Sequence, residues 1–182
     1  NVEVLRRLRV GVFSTGDELV EPGKPLAPGQ IYNSNRYQLN ALLAAQGCAV
    51  IDLGSIADDF STTRETLLQA AAQADVVMTT GGVSIGEEDH VKAALEAVGA
   101  LPLWRIKMKP GKPLAFGRIG DTPFIGLPGN PVSVFVTFLL FARPYLQAMQ
   151  GRTDTGPRRY PVRAGFDHHA KQRREYVRVR LH

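Results

Sequence analysis

Residues 75–91 read "DVVMTTGGVSIGEEDHV", and this stretch decides the fold. It opens as a continuous apolar and β-branched run, the pattern of a strand buried on both faces. Thr80, Gly81 and Gly82, then Ser84 and Gly86, form a glycine-rich loop whose bare amides suit a phosphate. Three carboxylates follow at once, Glu87, Glu88 and Asp89, and a helical pattern runs over 88–99 to a stop at Gly99. A strand that feeds a glycine turn and then a helix is a repeating unit of a parallel α/β sheet.

The same alternation extends on both sides. "LRVGVFSTG" (8–16) and "CAVIDLGSI" (48–56) read as strands. "NSNRYQLNALLAAQG" (33–47) and "STTRETLLQAAAQA" (61–74) read as helices, the second with a Thr62–Glu65 capping box. "LPLWRIKMKPGK" reads as an alternating strand, "PLAFGRIGDTPFIGLPG" as a hairpin, and a long apolar helix starts at Asn130. This order predicts a three-layer α/β/α sandwich with a mostly parallel sheet over residues 1–150. Residues 151–157, "GRTDTGP", read as a linker within the segment 151–182. The runs "RRYPVRAGF" and "REYVRVRLH" alternate like strands, the beginning of a β-rich domain too short here to bury a core.

Composition narrows the function classes. The chain has 182 residues, 44% of them hydrophobic, and a formal net charge of +5. Residues 151–182 carry nine Lys/Arg and three Asp/Glu, whereas residues 1–150 carry thirteen and fourteen. The basic character belongs to the tail, where strand alternation accounts for it, so no nucleic-acid partner is expected. The longest apolar stretch, "VSVFVTFLLFA" (132–142), reads as too short to cross a bilayer, and no signal peptide is read at the start. The single cysteine, Cys48, cannot form an internal disulfide. A reduced, cytoplasmic protein with no membrane partner is the expectation.

Three kinds of stretch bear chemistry. Strand alternation would put Arg105, Lys107 and Lys109 on one face, with Lys112 following after a Pro-Gly turn. A solvated strand face explains the alternation equally well, but the stiff turn favours an oxyanion site. In "GLPGNPVSVF", Asn130 fits a helix N-cap, Pro131 the first helical position and Ser133 the first turn, which suits an anion as well as a capped core helix. The pairs Asp17–Glu18 and Asp58–Asp59 end two strands. Turn or cap duty is the commoner role of Asp, but with Asp89 these acids on one rim can collect a hard divalent cation. His90, His168 and His169 have no zinc-site spacing and read as surface residues.

Together the segments "STGDEL", "IYNSN", "GGVSIGEEDHV", "KPGKPLAFG", "GLPGNPVS" and "REYVRV" resemble the molybdopterin molybdenumtransferase family, the MoeA and gephyrin E-domain type, in the family's order and over nearly the whole chain. The resemblance implies a molybdopterin-binding domain followed by the start of a small C-terminal β-barrel domain. It implies insertion of molybdate into adenylylated molybdopterin, with Mg2+-dependent hydrolysis of the adenylate. It carries acidic catalytic and metal-binding roles to Glu18, Asp58 and Asp89, and an oxyanion pocket to Lys109, Lys112, Pro113, Ser133 and Arg174. It implies a homodimer at full length and admits the adenylyltransferase as a partner. The family's two N-terminal domains and the later part of its C-terminal domain have no counterpart here, so a partial chain is expected.

Two rivals use the same fold. The adenylyltransferase relative typically reads Gly-Gly-Thr-Gly and then an Arg-Asp pair, where this chain has Val83, Ser84 and Glu88–Asp89. A non-catalytic binding domain, as in gephyrin's receptor-anchoring role, is the other; the retained acids and lysines count against it.

Overall fold

The computed structural model describes residues 3–83, 90–169 and 172–180. In chain order its elements begin with β1 (Arg9–Thr15), β2 (Leu19–Val20), β3 (Ile31–Tyr32), α1 (Ser34–Ala45), β4 (Ala49–Ile56), α2 (Phe60–Gln73), β5 (Val76–Thr80) and α3 (His90–Val98). They continue with β6 (Gly99–Leu103), β7 (Met108–Lys109), β8 (Ala115–Ile119), β9 (Thr122–Leu127), α4 (Pro131–Thr137), a π-helical turn Phe138–Ala142, α5 (Arg143–Met149) and β10 (Arg174–Glu175).

The main sheet has the order β4-β1-β5-β9-β8-β6. β1 pairs in parallel with both β4 and β5, and β5 with β9, while β8 runs antiparallel to β9 and to β6. Strand periodicity sorts the core into two layers. Val10, Val12, Val76, Met78, Ile125 and Leu127 pack with α1 and α4–α5 on one face. Phe13, Val77 and Phe124 pack with α2 and α3 on the other. The chain is thus an α/β sandwich on a mostly parallel sheet, as its sequence predicts.

This topology creates the crevice that matters. From β1 the chain crosses through α1 to β4 on one side, then through α2 to β5 on the other side of β1. Right-handed crossovers in opposite directions put α1 and α2 on opposite faces. The order therefore reverses at β1, and a crevice opens beyond the carboxyl ends of β1 and β5.

Several local expectations are corrected. The N-cap of α2 is Asp59, whose carboxylate accepts from Thr62 N at 2.9 Å, so Thr62 is the third helical residue rather than the cap. The hydrogen bonds from the first turn hold the Asp59 carboxyl below its ordinary value. Residues 104–107 form no strand, yet Arg105, Lys107 and Lys109 are exposed while Met108 is buried, so the faces alternate as expected without a ladder. The run 158–166 forms no strand either; among the described residues of the tail, β10 alone pairs, in parallel with β7.

The helical run Pro131–Met149 is, by length and composition, long and apolar enough to cross a membrane, which the shorter stretch 132–142 did not indicate. Its residues Val134, Phe138, Ala142 and Leu146 are fully buried against the sheet, one every four residues, as in a core helix. The π-helical turn precedes Pro144, which has no N–H to donate and whose ring crowds the carbonyl of Leu140, so the helix widens there. Cys48 is buried, and burial pushes its thiol up from the ordinary value.

Candidate functional site

The parallel strands β4, β1, β5 and β9 end in "ADD", "GDE", "GG" and "PGN", all on one edge of the sheet. Two hydrogen bonds join these ends. The buried hydroxyls of Ser14 and Thr80 meet at 3.0 Å, and the Thr15 hydroxyl donates to Asp58 Oδ1 at 3.0 Å. The Asp58 amide donates to Asp17 Oδ1 at 3.3 Å, so the loops after β4 and β1 are joined. Gly81 explains how the loops come so close. Its φ is +85°, and a β-carbon there would strike the Thr15 carbonyl oxygen.

Between these ends and the start of α1 lies a cleft of about 230 Å³. Thr15, Glu18, Thr80 and Gly81 line one side, Asn33 and Asn35 another, and Gly129 and Pro131 close it. The cleft thus unites Glu18, Thr80 and Gly81 with the mouth of α4. Gly82 follows Gly81 directly, with a φ of +61°. Ser84, Gly86 and Asp89 lie outside the described residues, as do Glu87 and Glu88.

Asn130 caps α4, accepting from Ser133 N at 3.1 Å, as its sequence predicts. Ser133 is buried, with its hydroxyl 3.4 Å from Asn130 Oδ1. The lysine turn reaches the same helix one turn later, where Gly111 lies close against Thr137, and Thr137 donates to Ser133 O at 2.7 Å. Lys112 and Pro113 follow Gly111 and are half-buried.

The partner of Lys109 was not foreseen. Lys109 Nζ sits 3.5 Å from Glu175 Oε1, and His168 Nε2 lies 2.8 Å from Glu175 Oε2. Desolvation works against a charge on Glu175, but the His168 hydrogen bond and the Lys109 charge outweigh it and hold the carboxyl below its ordinary value. The backbone brings Arg174 to Lys107, whose carbonyl accepts from Arg174 N at 3.2 Å. Register pairs Glu175 with Lys109 and Arg174 with Met108, so alternation puts Arg174 on the other side of this ribbon.

A second feature missed from sequence braces the cleft from behind. Arg36 binds Glu21 at 2.9 Å and Asp52 at 2.9 Å. Tyr37 and Ser55 donate to Glu21, and Asn40 donates to Asp52. Buried Asn33 joins by donating to Ser55 Oγ at 2.8 Å while its Oδ1 caps α1 through Arg36 N. Burial opposes ionisation of Glu21 and Asp52, but these donors and the Arg36 charge hold both below the ordinary range. The network pins the segment carrying β2 and β3 against α1 and β4. Only the five residues of "IYNSN" hinted at it, and Asn33 to Asn35 read there as ordinary helix-start residues.

Hard oxygen donors on this rim suit magnesium. Among the described residues no three His, Cys, Asp or Glu side chains gather as a metal cluster. Magnesium commonly takes one or two carboxylates and completes its shell with water and phosphate oxygens; of the acids on this rim, Glu18 lines the cleft and Asp58 accepts from Thr15 at the neighbouring strand end. A larger hollow of about 620 Å³ lies elsewhere, by Pro102, Phe116 and Tyr145 beside β6 and β8. It holds none of the predicted site residues.

A crevice at the reversal point of a mostly parallel sheet, lined by the acid Glu18 and by Gly81 and Gly129, defines an open-sheet α/β domain of the ligand-binding class. Within that class the chain belongs to the family described as "Probable molybdopterin binding domain", which matches residues 11–148. It is 51% identical over 151 residues to a molybdopterin molybdenumtransferase of Haemophilus influenzae, covering 83% of this chain and 37% of the relative. It is 44% identical over 154 residues to one from a Nostoc species, covering 82% and 35%. A solved structure of the molybdopterin biosynthesis MoeA protein from Pyrococcus horikosii superposes with a TM-score of 0.73 at 35% identity, covering 81% of this chain and 36% of that one. The chain spans a little over a third of the length of these relatives.

Proposed function

We propose that this chain is the molybdopterin-binding part of a molybdopterin molybdenumtransferase, which inserts molybdate into adenylylated molybdopterin and releases the adenylate by hydrolysis. One observation supports this above all: Glu18, Thr80 and Gly81 share a single cleft at the switch point of the sheet. The loop from Thr80 through Gly86 offers amides to the phosphates of the ligand. Lys109, Lys112, Pro113 and Ser133 hold molybdate, and Arg174, on the opposite side of the β7–β10 ribbon from Lys109, joins them only by turning its side chain toward the turn. Lysines on a backbone stiffened by prolines lose less freedom on binding than free ones.

Asp58, Glu18 and Asp89 hold magnesium, which polarises the bond that is hydrolysed and offsets repulsion between carboxylates and phosphates. The Thr15 hydroxyl orients Asp58 by its hydrogen bond. Residues 151–182 are, in this reading, a linker and the start of a C-terminal β domain. The full protein acts as a cytoplasmic homodimer that receives its substrate from the adenylyltransferase. The test is binding of adenylylated molybdopterin to this chain across a magnesium titration. Asp58→Asn, which keeps an acceptor for Thr15, should bind normally without magnesium and lose the tightening that magnesium brings. Unchanged magnesium dependence in both Asp58→Asn and Asp89→Asn would refute the assignment.

A further inference from the structure

We propose that Glu175 and His168 form a counter-ion switch for Lys109: when a tetrahedral oxyanion takes Lys109, the Glu175 carboxylate turns wholly to His168, and the ring takes up a proton from solvent at Nδ1. This inference rests on the reading above, in which Lys109 holds molybdate. Lys109 is exposed to solutes, yet its ammonium already lies 3.5 Å from Glu175 Oε1. The Glu175 side chain is 11% exposed and divides its oxygens, with Oε2 at 2.8 Å from His168 Nε2. A carboxylate only accepts, so Nε2 carries the hydrogen of that bond, and Nδ1 is the atom left to gain a proton.

The backbone places this pair without help from the side chains. Arg174 N donates to Lys107 O at 3.2 Å and Tyr176 N to Lys109 O at 2.9 Å, so Glu175 stays opposite Lys109 whatever its carboxylate does. An exchange of partner therefore needs only a side-chain rotation. Among the described residues no other charged side chain lies within ion-pair distance of Glu175 or His168. The remaining neighbour of the His168 ring is Phe166, edge-on at 6.5 Å between centroids. Asp167, His169, Arg173 and Arg174 are exposed, and Arg174 lies on the other side of the ribbon.

Charge sets the coupling. Desolvation opposes ionisation of Glu175, and the His168 hydrogen bond and the Lys109 charge together keep its carboxyl below the ordinary value. A dianion on Lys109 takes that positive charge for itself and repels the carboxylate at close range. His168 is then the partner that remains, and a proton on its ring restores the compensation that Glu175 has lost.

The probe is the molybdate ion, titrated by calorimetry into the 182-residue chain between about pH 6 and about pH 8, the range in which imidazole changes charge. Binding that takes up a proton strengthens as pH falls, by up to about tenfold per unit for one proton. The parent chain should show this rise, and heats in two buffers of different ionisation enthalpy should show protons drawn from the buffer. His168→Gln, whose amide still donates to Glu175 but cannot titrate, should bind molybdate with no such rise. Glu175→Gln, which removes the charge that passes between the two partners, should keep little of it. A purely structural role for either residue would weaken binding equally at every pH and leave the slope unchanged. A flat parent, or a slope kept in either variant, overturns the inference alone. If the parent binds no molybdate, or Lys109→Gln binds it as well as the parent does, the oxyanion reading of Lys109 falls and takes this inference with it.

Discussion

Replacing Gly81 with Ala tests how the cleft is built. Two costs add. The φ of +85° is a left-handed conformation, which costs a β-carbon-bearing residue about 1–2 kcal/mol. The new methyl also strikes the carbonyl oxygen of Thr15, a buried residue that cannot yield without disturbing Asp58. Overpacking of this kind costs about 1–3 kcal/mol more. The sum is about 2–5 kcal/mol, which for a chain of this size lowers Tm by about 5–15 °C. Gly47→Ala is the control, because its φ is +75° but nothing lies within 4 Å of the added carbon. Chemical denaturation should show Gly81→Ala about 1–3 kcal/mol worse than Gly47→Ala, and only Gly81→Ala should lose ligand affinity. Equal destabilisation by the two, with affinity intact in both, would refute the close approach of the two loops.

Three further outcomes follow from the contacts. Arg36→Met should cost about 1–2 kcal/mol near neutral pH, because it strips charge-assisted bonds from Glu21 and Asp52. Both carboxyls lie below their ordinary values of 4.5 and 3.8 in the fold, so the network stabilises above those values and its contribution is lost as pH falls below them. The gap between variant and parent should close in acid, and a gap independent of pH would count against the network. Phe138→Ala removes a fully buried ring from the helix layer and should cost about 3–5 kcal/mol in urea denaturation; a loss under 1 kcal/mol would show that the core is not packed as described. Glu175→Gln frees Lys109 and should raise molybdate affinity several-fold at low salt, fading as salt screens the charges, whereas unchanged affinity would mean Lys109 does not meet the oxyanion.

Much of this was legible because local signals and tertiary needs agreed. The apolar strand before Gly81, the capped start at Asn130 and the Gly120–Asp121 turn between β8 and β9 carry their chemistry in adjacent residues. The unread parts depend on distant partners. Thr62 and Glu65 satisfy a capping pattern, yet Asp59 takes the cap because its side chain reaches the first-turn amides. Glu21, Arg36 and Asp52 are separated along the chain by more than a dozen residues each, so no local pattern announces them. Asn35 reads as a helix-start residue, and only the carbonyl of Gly129, 94 residues away, leaves its oxygen unpaired. Alternation in 104–109 did predict which residues face outward, because exposure follows side-chain polarity even where no strand forms.

The position of the bound ligand decides between the small cleft and the larger hollow. Amide hydrogen exchange of this chain, with and without adenylylated molybdopterin, locates it directly. Protection should appear at residues 15–18, 33–36, 80–82 and 129–130, the loops that enclose the small cleft. Protection instead at the larger hollow by Pro102, Phe116 and Tyr145, with the small cleft unchanged, would contradict the account.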